Sequence, residues 1–173
     1  MKSKALWIVG SIATAMALFA FRNKKNISGA APNGIGIKPI LKSPIRITSG
    51  FGYRTHPTTG EKLFHNGVDI GIPTGTPIYS PEDATVHAVY YNSIGGNQLV
   101  LKHEGERYTG YAHLNSLPAL KIGQKINAGT QVATSGNTGR TTGPHLHFTY
   151  KTNASAVKTE DRYSDPKIYL GIA

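Results

Sequence analysis

His145-Leu146-His147 sets two imidazoles two residues apart in a stretch, Pro144–Tyr150, that reads as a strand. Side chains at i and i+2 of a strand share a face. Both rings therefore project into one space, while Leu146 and Phe148 turn the other way, toward a core. Upstream, His65 and Asp69 stand four apart in His65-Asn66-Gly67-Val68-Asp69, a spacing that shares a face in a strand or a helix. His113, in Tyr111-Ala112-His113-Leu114, is the third element. If the fold gathers these stretches, one cavity receives five polar side chains. His65, Asp69 and one of the downstream histidines then make a two-histidine, one-carboxylate set, the protein ligands of a catalytic zinc with one open position. The two remaining histidines are free for proton chemistry.

The elements that must position these residues read as short strands. Gly is 20 and Pro is 10 of 173 residues, and no long helical periodicity runs through the middle of the chain, which favours an all-β domain with many turns. Ile45–Thr48 alternates as a strand, and His56, before Pro57, falls in a polar loop over Thr55–Lys62. Arg54, just before that loop, could hold a substrate carboxylate or simply be solvated. Gly71–Pro81 turns repeatedly. Ala84–Tyr91 alternates, with Ala84, Val86, Ala88 and Tyr90 on one face and His87 on the other, at the strand surface. Ile94–Asn97 is a hairpin turn, Gln98–His103 the returning strand and Arg107–His113 the next. Alternation places Tyr111 and His113 on one face, and His103 at an exposed strand end. Ser135–Pro144, with three glycines, is a loop feeding the His-x-His strand; no Lys-Ser/Thr pair or helix follows it, so it is not a phosphate cradle.

Charge and cysteine content narrow the partners. The net charge is +10, but five of the basic residues lie in the first 26, and the remainder holds 14 basic and 9 acidic residues. A mildly basic domain suits an anionic polymer such as a cell wall. No basic helix or aromatic-basic interleaving is present, so nucleic acid is not the expected partner. The absence of cysteine excludes a disulfide scaffold and a thiolate metal site. Ala5–Phe21 is uncharged and mostly apolar; seventeen helical residues would span about 26 Å, the short end for a bilayer. The run exceeds a usual signal h-region, and its one clean small-x-small pattern falls inside it, which favours a retained anchor over a cleaved signal. The expected organisation is residues 1–21 as a transmembrane anchor or signal segment, 22–43 as a flexible tether and 44–173 as the domain.

Together the motifs resemble the lysostaphin-type zinc endopeptidases, the M23 family of cell-wall hydrolases. The resemblance rests on Gly52–Pro57, His65–Ile70, Gly75–Ile78, Gly96-Asn97 leading to His103, Tyr111–Leu114, Ser135–Phe148 and Asp165-Pro166. It spans about residues 44–170, and it is the combination that is specific. It implies a mainly antiparallel β domain with its site in a groove of one sheet. It further implies zinc ligands at His65, Asp69 and His147, and catalytic histidines at His113 and His145. The expected activity is hydrolysis of peptide bonds in peptidoglycan cross-links or stem peptides. The domain would then lie outside the cytoplasm, anchored through residues 5–21 or secreted. Short loops and no long pro-segment or wall-binding domain would leave it without regulation by such parts. The competing readings are a wall-binding or activator module with a silent site, and a membrane-anchored virion or secretion component that carries a wall-opening domain.

Overall fold

The computed structural model describes residues 38–55 and 60–172. The apolar run Ala5–Phe21, most of the expected tether and His56 lie outside them. Among the described residues no helix is long and apolar enough to cross a membrane.

In chain order the strands are β1 (Ile47–Ser49), β2 (Gly52–Thr55), β3 (Lys62–His65), β4 (Val68–Gly71), β5 (Pro77–Tyr79) and β6 (Ala84–Asn92). They continue as β7 (Gly96–His103), β8 (Arg107–Leu114), β9 (Lys125–Ile126), β10 (Gln131–Thr134), β11 (His145–Lys151) and β12 (Tyr163–Ser164). The main sheet runs β1-β4-β11-β8-β7-β6-β9, with β12 also on β11, and every pairing in it is antiparallel. β2–β3 and β5–β10 form two separate ribbons. Among the described residues the mainly antiparallel β architecture expected from the sequence is thus the one observed, with a single turn of 3-10 helix and a short helix, α1 (Pro166–Leu170), near the end.

Period-two alternation decides which face of the sheet is dry. Val68 and Ile70 on β4, Leu146 and Phe148 on β11, Tyr111 on β8, and Leu99 and Leu101 on β7 are all fully buried in one core. Burying such a side chain contributes about 1.5–3 kcal/mol. Their strand neighbours Asp69, His147, Gly110 and Ala112 take the other face by the same alternation. That division makes room for a polar site on a sheet whose opposite side is sealed.

α1 closes one part of the core. Asp165 caps it by accepting from Lys167 N at 2.9 Å, and Gly171 ends it in the left-handed region. Tyr169 stacks on Tyr150 with ring centroids 3.9 Å apart, and its hydroxyl donates to Glu82. Glu82 accepts two 2.7 Å hydrogen bonds from Arg107. Burial pushes the Glu82 carboxyl up, but the bonds from Arg107 and Tyr169 outweigh it and hold the group below its ordinary 4.5. Its contribution to stability is therefore complete above pH 4.5 and lost as pH falls through the lower folded value. Glu82→Gln, which strands Arg107, is expected to cost about 3 kcal/mol at pH 7. It should also flatten the loss of stability between pH 6 and pH 3; denaturant midpoints at the two pH values check both.

Outside the site, the structure departs from the expectations in four places. Packing begins before Pro44: Ile40 and Leu41 are buried, and Ile40 O accepts from Tyr79 N at 2.9 Å. An isolated apolar pair carries no period, so the sequence alone places it in the tether. Second, Gly71–Pro81 contains β5, paired with β10, and not turns alone. Third, β6 slips register between Val86 and Ala88, so Val89 and not Ala88 packs toward the core below the slip. Fourth, His103 is buried at 3 % exposure. Its Nδ1 donates to the Asp83 carbonyl at 3.1 Å, and its Nε2 lies 2.8 Å from the Thr109 hydroxyl. Burial pushes its pKa down, keeping the ring neutral in a polar pair inside the core.

Candidate active site

Cross-strand register builds the centre of the site. His147 on β11 sits directly opposite Asp69 on β4, and on its other side opposite Ala112 on β8. His147 Nδ1 lies 2.8 Å from Asp69 Oδ1. His65, at the end of β3, comes in from the separate ribbon: its Nε2 is 3.2 Å from Asp69 Oδ1 and 3.1 Å from His147 Nδ1. Donor atoms of His65, Asp69 and His147 all fall within 4.8 Å of one another.

The outer nitrogens fix the tautomers. A carbonyl oxygen only accepts, so the ring nitrogen facing it carries the hydrogen. His65 Nδ1 faces Gly50 O at 2.6 Å, which leaves a lone pair on Nε2. His147 Nε2 faces the Asn66 side-chain oxygen at 3.2 Å, which leaves a lone pair on Nδ1. Two imidazole lone pairs and a carboxylate oxygen then converge on one point, an arrangement suited to a cation. The electrostatics agree. Burial pushes Asp69 up, yet the adjacent His147 and His65 rings pull it well below the usual carboxylate range, so it stands as the ionised donor. Burial pushes His147 down, against the pull of Asp69, and so favours the neutral ring that a metal ligand must be. The donor set, two imidazoles and one carboxylate, fits a divalent ion of the zinc type.

Two more imidazoles border this point. His145, two residues from His147 on the same face, holds its Nδ1 2.8 Å from Gly143 O, and its Nε2 lies 3.8 Å from Asp69 Oδ1. His113 donates from Nδ1 to Thr138 O at 2.8 Å, and its ring centroid is 4.6 Å from that of His145 and 6.2 Å from that of His147. Burial and the neighbouring histidines push His113 down against the Thr138 carbonyl, favouring a neutral ring with a free Nε2. All five residues singled out from the sequence are therefore brought to one face.

His113 arrives there by a route that alternation does not describe. Tyr111 is in the core, so a regular strand would put His113 in the core as well. Instead His113 has φ +59, in the left-handed region. That turn of the backbone swings its ring to the site face and sends Leu114 to the core. A left-handed L-residue costs about 1–2 kcal/mol, and such conformations concentrate where function needs them.

The residues that orient the rings carried no spacing signal. Asn66 is a lone amide beside His65, Gly50 contributes only its backbone, and Thr138 lies in a glycine-rich loop. Gly67 is needed for another reason. A Cβ there would collide with Phe148 O and stand 2.9 Å from His147 Cε1. Phe148 is pinned between β4 and β8, so its carbonyl cannot yield. Gly67→Ala is expected to cost about 1–3 kcal/mol and to lower metal retention by displacing His147. Thermal unfolding and metal analysis of the purified variant check it.

Fold and site define an antiparallel β protein with a candidate metal centre in the open face of its sheet. The chain belongs to peptidase family M23, whose model matches residues 63–159 and so includes all five site residues. It is 44% identical over 111 residues to the peptidoglycan DD-endopeptidase ShyB of Vibrio cholerae, an alignment covering 64% of this chain and 26% of that protein. Among solved structures it is similar to a zinc-containing peptidase from Vibrio cholerae, with a TM-score of 0.61 and 37% identity, over 75% of this chain and 39% of that one. It is also similar to the catalytic domain of the antimicrobial peptidase lysostaphin from Staphylococcus simulans, with a TM-score of 0.63 and 29% identity, over 73% of this chain and 92% of that one. The chain spans about a quarter to a third of the length of the curated relatives it matches, 25–36%.

Proposed function

We propose that the chain is a zinc-dependent endopeptidase that hydrolyses peptide bonds in bacterial peptidoglycan. The observation that carries this reading is the convergence of three lone-pair donors, His65 Nε2, Asp69 Oδ1 and His147 Nδ1, beside two further imidazoles. Family membership and the DD-endopeptidase named among its relatives support the substrate class.

His65, Asp69 and His147 would hold the ion. Zinc bound there supplies a Lewis acid for the scissile carbonyl and lowers the pKa of water to about 7. The protein's part is proton transfer and charge stabilisation. His113 and His145 each tie Nδ1 to a backbone carbonyl, so each offers Nε2 to the groove. A neutral ring accepts the proton of the attacking water, and the imidazolium so formed delivers it to the leaving amine. The other ring can donate to the oxyanion of the tetrahedral substrate once its Nε2 is also protonated, as an imidazolium.

Incubation of purified sacculi with the zinc-loaded protein tests the reading. New amine termini, found by mass spectrometry and abolished by chelation, are expected. Binding without new termini would favour the silent wall-binding module instead. A membrane anchor or signal segment in residues 1–21, a tether that ends before the packed Ile40, and a location outside the cytoplasm complete the proposal. They are supported by the uncharged run Ala5–Phe21 and by the substrate. Full-length protein that high salt alone strips from membranes would remove the anchor from it.

A further inference from the structure

We infer that Thr138 is the positioning residue for His113, holding both its backbone turn and its ring; this rests on the proton-transfer reading above. His113 sits at φ +59, a conformation its own side chain does not favour, so its surroundings must hold it. Three segments do so: the β6–β7 turn, the end of β8 and the loop after β10. His113 N donates to Gly95 O at 2.8 Å, and Arg140 N donates to Ile94 O at 2.9 Å. Thr138 bridges all three. Its carbonyl accepts from His113 Nδ1 at 2.8 Å. Its hydroxyl donates to Leu114 O at 2.8 Å and accepts from Asn97 N at 3.0 Å.

The hydroxyl thus grips the residue after His113 and the start of β7, while the carbonyl of the same residue sets the His113 tautomer. Two glycines let the segments approach closely enough. Gly96, at φ +63, lies against Thr138, where a Cβ would overlap it. Gly139, at φ +79, packs on the turn, where a Cβ would lie 2.6 Å from Ile94 O. Without the hydroxyl, the carbonyl that orients His113 would be anchored only through the neighbouring backbone. Thr138 touches no reacting atom; it acts through His113.

Thr138→Val keeps the shape and removes the hydroxyl; Thr138→Ser keeps the hydroxyl. With zinc-loaded protein and a peptidoglycan-derived peptide, Thr138→Val is expected to lower kcat by about 10–100-fold, the usual effect of losing a residue that orients a site group. KM should stay within about twofold and zinc should remain at one per chain, on the same principle that an orienting contact is not itself a ligand. Thr138→Ser should stay near wild type. The His113 Nδ1–H resonance, held by one carbonyl, should broaden or vanish in Thr138→Val and persist in Thr138→Ser. If the valine variant does not fold, Thr138→Ala replaces it. A valine variant with wild-type kcat and an unchanged His113 resonance overturns the inference, as does a serine variant that falls as far as valine. If His113→Asn stays active, the proton-transfer reading fails instead, and the resonance still decides whether Thr138 holds the ring.

Discussion

Replacing His147 by alanine is expected to leave the purified protein without bound metal and without hydrolytic activity, while its fold survives. The reasoning is local. His147 supplies one of three converging lone pairs, and once the ring is gone only His65 and Asp69 of the donor set remain. Loss of a group that merely orients a ligand costs about 10–100-fold in metal affinity, so loss of a ligand itself should exceed that range. The strand is not at risk, because Leu146 and Phe148 on either side remain in the core. Metal analysis after gel filtration, together with circular dichroism, checks both halves. Full metal retention in His147→Ala would assign the ligand role elsewhere.

His145→Ala and His113→Asn are expected to do the opposite, keeping the metal and losing turnover by about 10²–10⁴-fold, the usual worth of a general acid or base. His145 lies beside the donor set, with Nε2 3.8 Å from Asp69 Oδ1, but its Nδ1 is tied back to Gly143 and the three donors meet without it. Asparagine is the better replacement at His113, since it tolerates the left-handed backbone that alanine resists. Single-turnover rates with zinc-saturated variants read the effect. Loss of metal in His145→Ala, together with its retention in His147→Ala, would exchange the two roles.

The sequence was informative where strand periodicity holds. His145 and His147 share a face, Leu146 and Phe148 the core, and Asp69 sits opposite His147, because β4 and β11 are regular over those residues. It misled where the backbone leaves that period. A left-handed residue at His113 and a register slip in β6 each reverse a face, and nothing in the local residue types marks either. His103 looked exposed because the hydroxyl of Thr109 that satisfies it comes from the neighbouring strand. Asn66 and Thr138 act through single contacts, and a single contact has no spacing to find.

One consequence follows from where the donors originate. Asp69 and His147 belong to the main sheet, but His65 belongs to the β2–β3 ribbon, which pairs with no strand of that sheet. An ion gripped by all three would close a loop of 82 residues between His65 and His147. In a polypeptide with no cysteine, it would be the nearest equivalent of a covalent cross-link. The same atom that does the chemistry would then also rivet one wall of the groove to its floor.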